Sequence, residues 1–191
     1  MDADAAKPLA AFGFLTVLED AEHGFFGGYL ILTDRGRPLE FHCSTPVLPS
    51  RAQRILYGAT LRPYVLGELI GQTLLDQAQL PVLAVLTDQE EMLELALVRP
   101  EPVVCLISPD VLAADAPAAE AASPAGRGGE LSLGGYLLRG PRAEPLREKL
   151  APLLTHVDLA EPLERIRTAI REAQRVAEPP TDDQHEPSAA A

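Results

Sequence analysis

The sequence predicts an α/β protein built on a mixed sheet, and three patterns support this class. A hairpin pattern runs into a capped helix within residues 27–58. Two short apolar runs flank a helical stretch within residues 81–108. A regular apolar stripe marks residues 158–177. Because strand and helix patterns alternate in this way, we expect an N-terminal antiparallel hairpin and a short βαβ unit in one sheet, covered by two or three helices.

The N-terminal strands come first in the chain. Residues 12–18 form an apolar run typical of a strand, and residues 29–33 and 39–47 form two more around a short turn. Gly36 in that turn supplies the positive φ that a tight hairpin connection needs. Both faces of the hairpin are apolar, so we expect it to lie centrally in the sheet and not at an edge.

Two helices follow the hairpin. Ser50 and Gln53 have the spacing of a capping box, and Gly58 is a suitable residue just beyond the helix end. A longer helix is predicted over residues 60–79, with Gly67 and Gly71 one turn apart on one side. Glycines at this spacing indicate close packing of the helix on a sheet.

The βαβ unit is predicted from three consecutive segments. Residues 81–87 and 102–108 are short continuous apolar runs, and residues 88–99 between them have the composition of a helix with an acidic first turn. A strand, a helix and a strand joined by short connections predict two parallel strands.

The C-terminal helix is expected to dock on the N-terminal sheet. Leu163, Ile166 and Ile170 fall on one stripe of residues 158–177. Such a helix is marginal alone in water, so packing must supply most of its stability. We therefore expect a single domain over residues 12–177.

Three segments are predicted to be disordered. Residues 113–129 are rich in Ala, Pro, Gly and Ser and read as a flexible linker inside the domain. Residues 1–11 are rich in Ala and Asp, and residues 178–191 form an acidic tail. Segments of this composition cannot bury enough apolar surface to offset their ordering entropy.

The charge balance argues against two classes of partner. With 28 acidic and 16 basic side chains, the net charge is -12. Binding to nucleic-acid phosphates or anionic membranes needs clustered Lys and Arg, so we expect neither a nucleic-acid partner nor a membrane. No signal-peptide pattern and no long apolar run is present, and the expected location is the cytoplasm.

Known catalytic and metal-binding motifs are missing from the sequence. There is no phosphate-binding glycine loop, no nucleophile elbow and no Cys or His spacing that would hold zinc, so no metal and no cofactor is expected. Cys43 and Cys105 both lie in apolar runs and are expected to be buried free thiols.

Three residues are candidates for catalysis. His42 and Cys43 are adjacent, but neighbouring side chains on a strand point to opposite faces, so they cannot hydrogen-bond to each other. Cys43 would need a base from elsewhere in the fold. Asp34 is a further candidate because acids at strand ends and turns often line sites.

Four residues are candidates for binding. Phe25 and Phe26 lie between glycines at what reads as a turn, and two adjacent aromatic rings there cannot both face one core. An exposed aromatic ring at such a place would anchor a partner. Arg35 and Arg37 lie in the hairpin turn, and with Arg51 they could bind an anion at the start of the helix that follows Ser50.

The predicted function is a non-catalytic protein-binding or regulatory module with a protein partner. One alternative is a small-molecule sensor with a pocket beneath the helix that carries Gly67 and Gly71. The other is an enzyme with a dispersed site near His42, Cys43 and the acids at strand ends. The oligomeric state stays open, as does whether the GGYL segments at 27–30 and 134–137 are a true repeat.

Overall fold

The computed structural model describes residues 10–109 and 129–177, which fold around one seven-stranded sheet. Its strands are β1 (Ala11–Asp20), β2 (Gly24–Thr33), β3 (Pro38–Cys43), β4 (Val85–Thr87), β5 (Val103–Ile107), β6 (Gly129–Leu133) and β7 (Tyr136–Gly140). Their order across the sheet is β3-β2-β1-β4-β5-β7-β6. Strands β1, β4 and β5 are parallel to one another, and every other neighbouring pair is antiparallel.

Within residues 10–109 and 129–177, four helices pack around this sheet. They are α1 (Arg51–Tyr57), α2 (residues 61–77), α3 (Arg147–Leu154) and α4 (Glu161–Ala177). Helix α2 joins Leu61–Pro63, a π-helical stretch Tyr64–Gln72, and Thr73–Gln77. Short 3₁₀ segments span Gly58–Thr60, Glu90–Leu97 and Glu144–Leu146.

The predicted fold class is confirmed. The antiparallel β2–β3 hairpin is present, and β4 and β5 form the parallel strands of the βαβ unit, with the 3₁₀ segment Glu90–Leu97 as the crossover. The capping box of α1 is also confirmed, because Ser50 Oγ accepts from the amide of Gln53 and Gln53 Oε1 accepts from the amide of Ser50.

Two local predictions about the N-terminal strands are wrong. The segment around Phe25 and Phe26 is not a turn, because residues 24–28 belong to β2 and pair with the end of β1. The β2–β3 hairpin is not central, because β3 is an edge strand of the sheet. The apolar character of β2 reflects burial between β1 and β3 under helices on both faces, and β3 is partly exposed.

Helices on both faces of the sheet enclose two separate apolar cores. Helices α3 and α4 cover one face, where the core includes Phe14, Leu86 and Ile166. Helix α2 and the 3₁₀ segment Glu90–Leu97 cover the other, where the core includes Tyr29 and Ile70. The docking of α4 is close, since a Cβ added at Gly28 in β2 would lie 2.3 Å from Cγ2 of Ile166.

The domain organisation stays a prediction. Almost all of the predicted linker and both predicted disordered termini lie outside the described residues. Ala11 and Gly129, at the ends of those segments, belong to β1 and β6. None of the helices in the described ranges combines the length and the apolar character that crossing a bilayer requires.

The two GGYL segments have different structures. Gly27 and Gly28 lie inside strand β2, whereas Gly134 and Gly135 form the β6–β7 turn with φ values of 62° and 85°. The match in sequence therefore does not correspond to a repeated structural unit.

Candidate functional site

The order in which the chain adds strands to the sheet reverses between β1 and β4. From β1 the chain proceeds outward to β2 and β3, and after α2 it returns to β4 beside β1 and proceeds the other way to β5. In open sheets of this kind, ligands bind beyond the carboxyl ends of the parallel strands at such a switch point. This location is where a functional site is expected on topological grounds.

Three polar side chains meet at the switch point. Thr16 on β1 is fully buried, and its hydroxyl donates to Asp88 Oδ1 at 2.9 Å, just past the end of β4. Arg167 on α4 donates to the Thr16 hydroxyl at 3.2 Å and forms an ion pair with Asp88 Oδ2. Both oxygens of the Asp88 carboxylate therefore have a donor from the protein itself.

Gln89 closes the same end of the sheet. Its side-chain amide donates to the carbonyl of Val17 and accepts from the amide of Val17, both at 3.0 Å. Strand β4 ends at Thr87, and the side chain of Gln89 takes the place of a further β4 residue by pairing with the main chain of Val17 on β1.

The neighbouring acids at this edge are also paired with arginines. Arg62 contacts Glu19 and Glu91, each at 2.6 Å, and Arg139 forms an ion pair with Glu90. Within residues 10–109 and 129–177, no three His, Cys, Asp or Glu side chains are grouped so that they could hold a metal ion. Glu19, Glu90 and Glu91 are therefore each paired with an arginine.

The structure does not bring the three catalytic candidates together. His42 Nε2 lies 2.5 Å from Glu40 Oε1, which sequence reasoning did not single out. Glu40 also accepts from the amides of Gln79 and Leu80. Burial alone would raise the pKa of Glu40, but these three hydrogen bonds hold it below its usual range.

Cys43 differs from the expected buried thiol. It is exposed on the edge strand β3 and its side chain lies on the face opposite to His42. Cys105 is buried in β5 as expected, and burial raises the pKa of its thiol to about 12. The prediction failed for Cys43 because an apolar sequence run does not reveal that its strand lies at the edge of the sheet.

The hairpin turn holds Asp34, Arg35 and Arg37. The amide of Asp34 donates to the carbonyl of Ala10, and both arginine side chains are exposed. The turn lies at the end of β2 opposite to the end that carries Phe25. The three residues are therefore not part of the switch-point cluster.

Phe25 and Phe26 take opposite sides of β2. Phe26 is buried in the core beneath α4, whereas Phe25 is half-buried on the other side, with the guanidinium of Arg62 at 6.0 Å from its ring centroid. The binding role predicted for these two residues stays a prediction. Because Phe26 is buried, only Phe25 has a ring that a partner could contact.

The sensor alternative placed its pocket where α2 packs closely on a neighbouring segment. A Cβ added at Gly71 would lie 2.8 Å from Cδ1 of Leu95, and one at Gly67 would lie 3.6 Å from the carbonyl oxygen of Glu91. Both glycines let α2 pack directly on the 3₁₀ segment Glu90–Leu97, so the space beneath the helix is filled.

One surface that sequence reasoning missed surrounds α1. Residues 41–67 are a run of 27 positions with no Asp or Glu, the longest such run in the chain, and they include Arg51, Arg54 and Arg62. The spacing between Glu40 and Glu68 was the signal that could have revealed it. The net charge of the whole chain concealed this local positive segment.

The exposed side of α1 combines positive charge, apolar side chains and aromatic rings. Helix α1 has no buried residue, and Ile55 and Leu56 are 71% and 81% exposed. Tyr57 stacks on Tyr64 of α2 with ring centroids 4.4 Å apart, and a hydrogen bond with Tyr57 raises the pKa of Tyr64. We call this surface the α1 face. Its residues are Arg51, Arg54, Ile55, Leu56, Tyr57 and Tyr64.

A groove of about 340 Å³ separates α1 from the tip of the β1–β2 hairpin. Phe25, Leu48 and Leu61 provide apolar lining, and Arg54 of the α1 face lies along one side. Arg62 at the start of α2 contacts Glu19 near the end of β1, so the α1 face lies toward the same end of the sheet as the switch point. The α1 face is on the α2 side of the sheet, whereas Arg167 reaches the switch point from α4 on the other side.

Solved structures of endonuclease V have a similar fold. One is that of Ciona intestinalis endonuclease V (D234N) in complex with a 23mer DNA that contains an inosine followed by a ribo-adenosine. It is 9% identical, with a TM-score of 0.52 over 89% of this chain and 87% of that chain. Another is the catalytic domain of human endonuclease V, 16% identical, with a TM-score of 0.51 over 92% of this chain and 89% of that one. No family model and no curated protein matches the chain.

These comparisons correct the predicted function. The prediction of a non-catalytic protein-binding module is wrong, because the similar structures are those of a nuclease, and the sensor alternative does not match them either. The enzyme alternative does not fit because it placed its site near His42 and Cys43, whose side chains lie on opposite faces of β3. The prediction that excluded a nucleic-acid partner is also wrong, since one of those structures contains DNA. At these identities the likeness is one of fold. Sequence reasoning missed it because it relied on local motifs and on a charge summed over the chain.

Proposed function

We propose that this protein binds single-stranded nucleic acid through the α1 face. The observation that carries the proposal is the composition of that face. In a chain of net charge -12, the longest segment without an acid places two exposed arginines beside exposed apolar and stacked aromatic side chains. The proposal is also supported by a solved structure of similar fold, that of Ciona intestinalis endonuclease V, which contains DNA.

The chemistry of the α1 face suits unpaired nucleotides. Proteins that bind single strands combine arginines along the backbone with aromatic rings on which bases stack, and each stacked base contributes about 1–3 kcal/mol. Arg51 and Arg54 can contact phosphates. The Tyr57–Tyr64 pair offers aromatic ring surface to bases, and the exposed side chain of Ile55 offers aliphatic surface beside it. A duplex hides its base faces, so only the phosphate contacts would remain for it.

The first experiment measures binding of a fluorescein-labelled 20-nucleotide single strand by fluorescence anisotropy. We expect the single strand to bind more tightly than the matching duplex. With two phosphate contacts, the logarithm of the association constant should fall with the logarithm of salt concentration with a slope of about -1.4. Absence of binding at low salt to any single strand or duplex would refute the proposal.

A matched pair of double variants locates the surface. Arg51→Ala with Arg54→Ala should weaken single-strand binding by about tenfold or more, because both phosphate contacts are lost. Arg35→Ala with Arg37→Ala removes the same charge from an exposed turn elsewhere and should leave affinity nearly unchanged. Equal losses in both variants would show that bulk charge, and not the α1 face, governs binding.

Stacking on the tyrosines has its own spectroscopic test. The chain contains no Trp and four Tyr, and one of these, Tyr29, is buried, so tyrosine emission reports largely on the surface rings. Binding should quench this emission. Tyr57→Phe should retain affinity, whereas Tyr57→Ala should lose it. Equal affinity of wild type, Tyr57→Phe and Tyr57→Ala for the single strand would show that bases do not stack on Tyr57.

The cytoplasm remains the proposed location. It rests on Cys43 and Cys105, which are both free thiols, as cysteines in a reducing compartment are.

A further inference from the structure

The switch point is the position in this fold where chemistry on a ligand would be expected. It lies at the carboxyl ends of β1 and β4, toward the same end of the sheet as the α1 face. Nucleases commonly hydrolyse phosphodiesters with one or two metal ions that carboxylates hold close to the scissile phosphate. Whether the switch point of this chain could hold such an ion depends on the donors that its residues supply.

The donors at the switch point do not fit a divalent cation. Magnesium and manganese sites are built from several oxygen ligands, among which carboxylates dominate. Here Asp88 is the carboxylate of the cluster, and its two oxygens already bind the Thr16 hydroxyl and the Arg167 guanidinium. The guanidinium carries a permanent positive charge, is paired with Asp88 Oδ2, and repels a second cation at that carboxylate.

The surrounding acids cannot complete a metal site. Glu19 and Glu91 are bound by Arg62, and Glu90 is bound by Arg139. Glu164, one turn before Arg167 on α4, contacts the other terminal nitrogen of that arginine at 2.5 Å. Recruiting any of these carboxylates would require breaking an ion pair, and the side chain of Thr16 offers only a neutral hydroxyl.

We infer that Arg167, through its ion pair with Asp88, takes the place that a catalytic cation would need at the switch point, and we call this arrangement a sealed centre. We further infer that the protein holds nucleic acid without hydrolysing it, and this step rests on the proposed function. The fold is similar to that of a nuclease, but the side chains at the switch point do not supply the ligands that a nuclease metal ion needs.

The first experiment follows cleavage and metal binding in parallel. The labelled 20-nucleotide single strand is incubated with the full chain and Mg²⁺ or Mn²⁺, and products are resolved on a gel. Mn²⁺ alone is titrated into wild type and Asp88→Asn by calorimetry. We expect no cleavage and identical titrations. Cleavage that Asp88→Asn abolishes, or a Mn²⁺ site that Asp88→Asn removes, would overturn the inference.

A gain-of-site variant provides the positive arm. Thr16→Asp with Arg167→Ala would place two carboxylates about as close as the 2.9 Å pair of Thr16 and Asp88 and would remove the competing guanidinium. This variant should gain a Mn²⁺ site that wild type lacks, and loss of that site on adding Asp88→Asn would place it at the switch point. Thr16 is fully buried, so folding is checked by circular dichroism, and Arg167→Ala alone serves if the double variant unfolds. With Arg167→Ala, new Mn²⁺ heat that needs Asp88 supports the inference, and heat equal to that of wild type contradicts it.

The outcomes separate the two proposals. If no oligonucleotide binds, the proposed function fails, and the Mn²⁺ titrations still decide whether the centre is sealed. If the oligonucleotide binds and is cut only when Asp88 is intact, the proposed function stands and the sealed centre fails.

Discussion

At the scale of single residues, Glu40 shows how one carboxylate joins distant parts of the chain. It lies on the edge strand β3, contacts His42 beside it, and accepts the amides of Gln79 and Leu80 that follow α2. Hydrogen bonds to a charged group contribute more than neutral ones, at about 1.5–3 kcal/mol each. The side chain therefore fixes the end of α2 to the sheet edge.

The hydrogen bonds of Glu40 predict a pH-dependent contribution to stability. Its folded pKa lies below the usual value of 4.5, so the contribution is present above pH 4.5 and is lost as the pH falls through the folded pKa. Glu40→Gln should lower the unfolding free energy by about 1–3 kcal/mol near neutral pH. The difference from wild type should shrink below pH 4.5.

Thermal unfolding of wild type and variant between pH 7 and pH 3 tests this. Glu68→Gln, which changes an exposed carboxylate on α2, is the control and should have little effect at any pH. A gap between wild type and Glu40→Gln that stays constant down to pH 3 would contradict the role assigned to the ionised carboxylate.

At the scale of elements, α4 depends on glycine in β2 for its close approach. Ile166 and Ile170 are buried, and their side chains occupy the space in which a side chain at Gly28 would lie. The apolar stripe in the sequence predicted that the helix would be buried on one side. The partner strand and the need for glycine there were not visible in that stripe.

The contact between α4 and β2 predicts non-additive substitutions. Ile166→Ala should cost about 2–5 kcal/mol as a core truncation, and Gly28→Ala should destabilise by overpacking, because the new methyl group meets Ile166. In the double variant the smaller side chain relieves that clash. The double variant should therefore be about 0.5–3 kcal/mol more stable than the sum of the single effects predicts.

Chemical denaturation of the four proteins measures this coupling. Thr168→Ala, on the exposed side of α4, serves as a control and should be close to neutral. Strict additivity of Gly28→Ala and Ile166→Ala would show that the two side chains do not compete for the same space.

At the scale of the whole molecule, the predicted division into one domain with dispensable segments awaits a test. Limited proteolysis should cut first within residues 113–128 and 178–191, because their composition cannot bury enough apolar surface to order them. Deleting residues 178–191 should leave the melting temperature essentially unchanged. Deleting residues 161–191 should abolish cooperative unfolding, because it also removes the buried stripe of α4.

Two results would contradict this organisation. The first is protection of both segments from protease under conditions that cut a denatured control. The second is a large fall in melting temperature on removing residues 178–191 alone, which would mean that the C-terminal segment packs on the core.

The sequence by itself determined the features that depend on neighbouring residues. Ser50 and Gln53 cap α1 because a capping box needs only a spacing of three residues. The stripe that contains Ile166, the parallel strands β4 and β5 and the α/β class also follow from local periodicity and short connections. In each case the pattern lies within one continuous segment of the chain, the longest being the strand–helix–strand unit in which Val85 pairs with Val103.

The tertiary structure alone decided which elements lie at edges and which distant residues meet. Cys43 is exposed because β3 is an edge strand, and Asp88 is sealed by Thr16 and Arg167, which are 72 and 79 positions away in the sequence. The α1 face likewise depends on the stacking of Tyr57 on Tyr64 across a helix boundary. Strand order and helix docking minimise the exposed apolar area of the whole chain, and no local spacing records that global result.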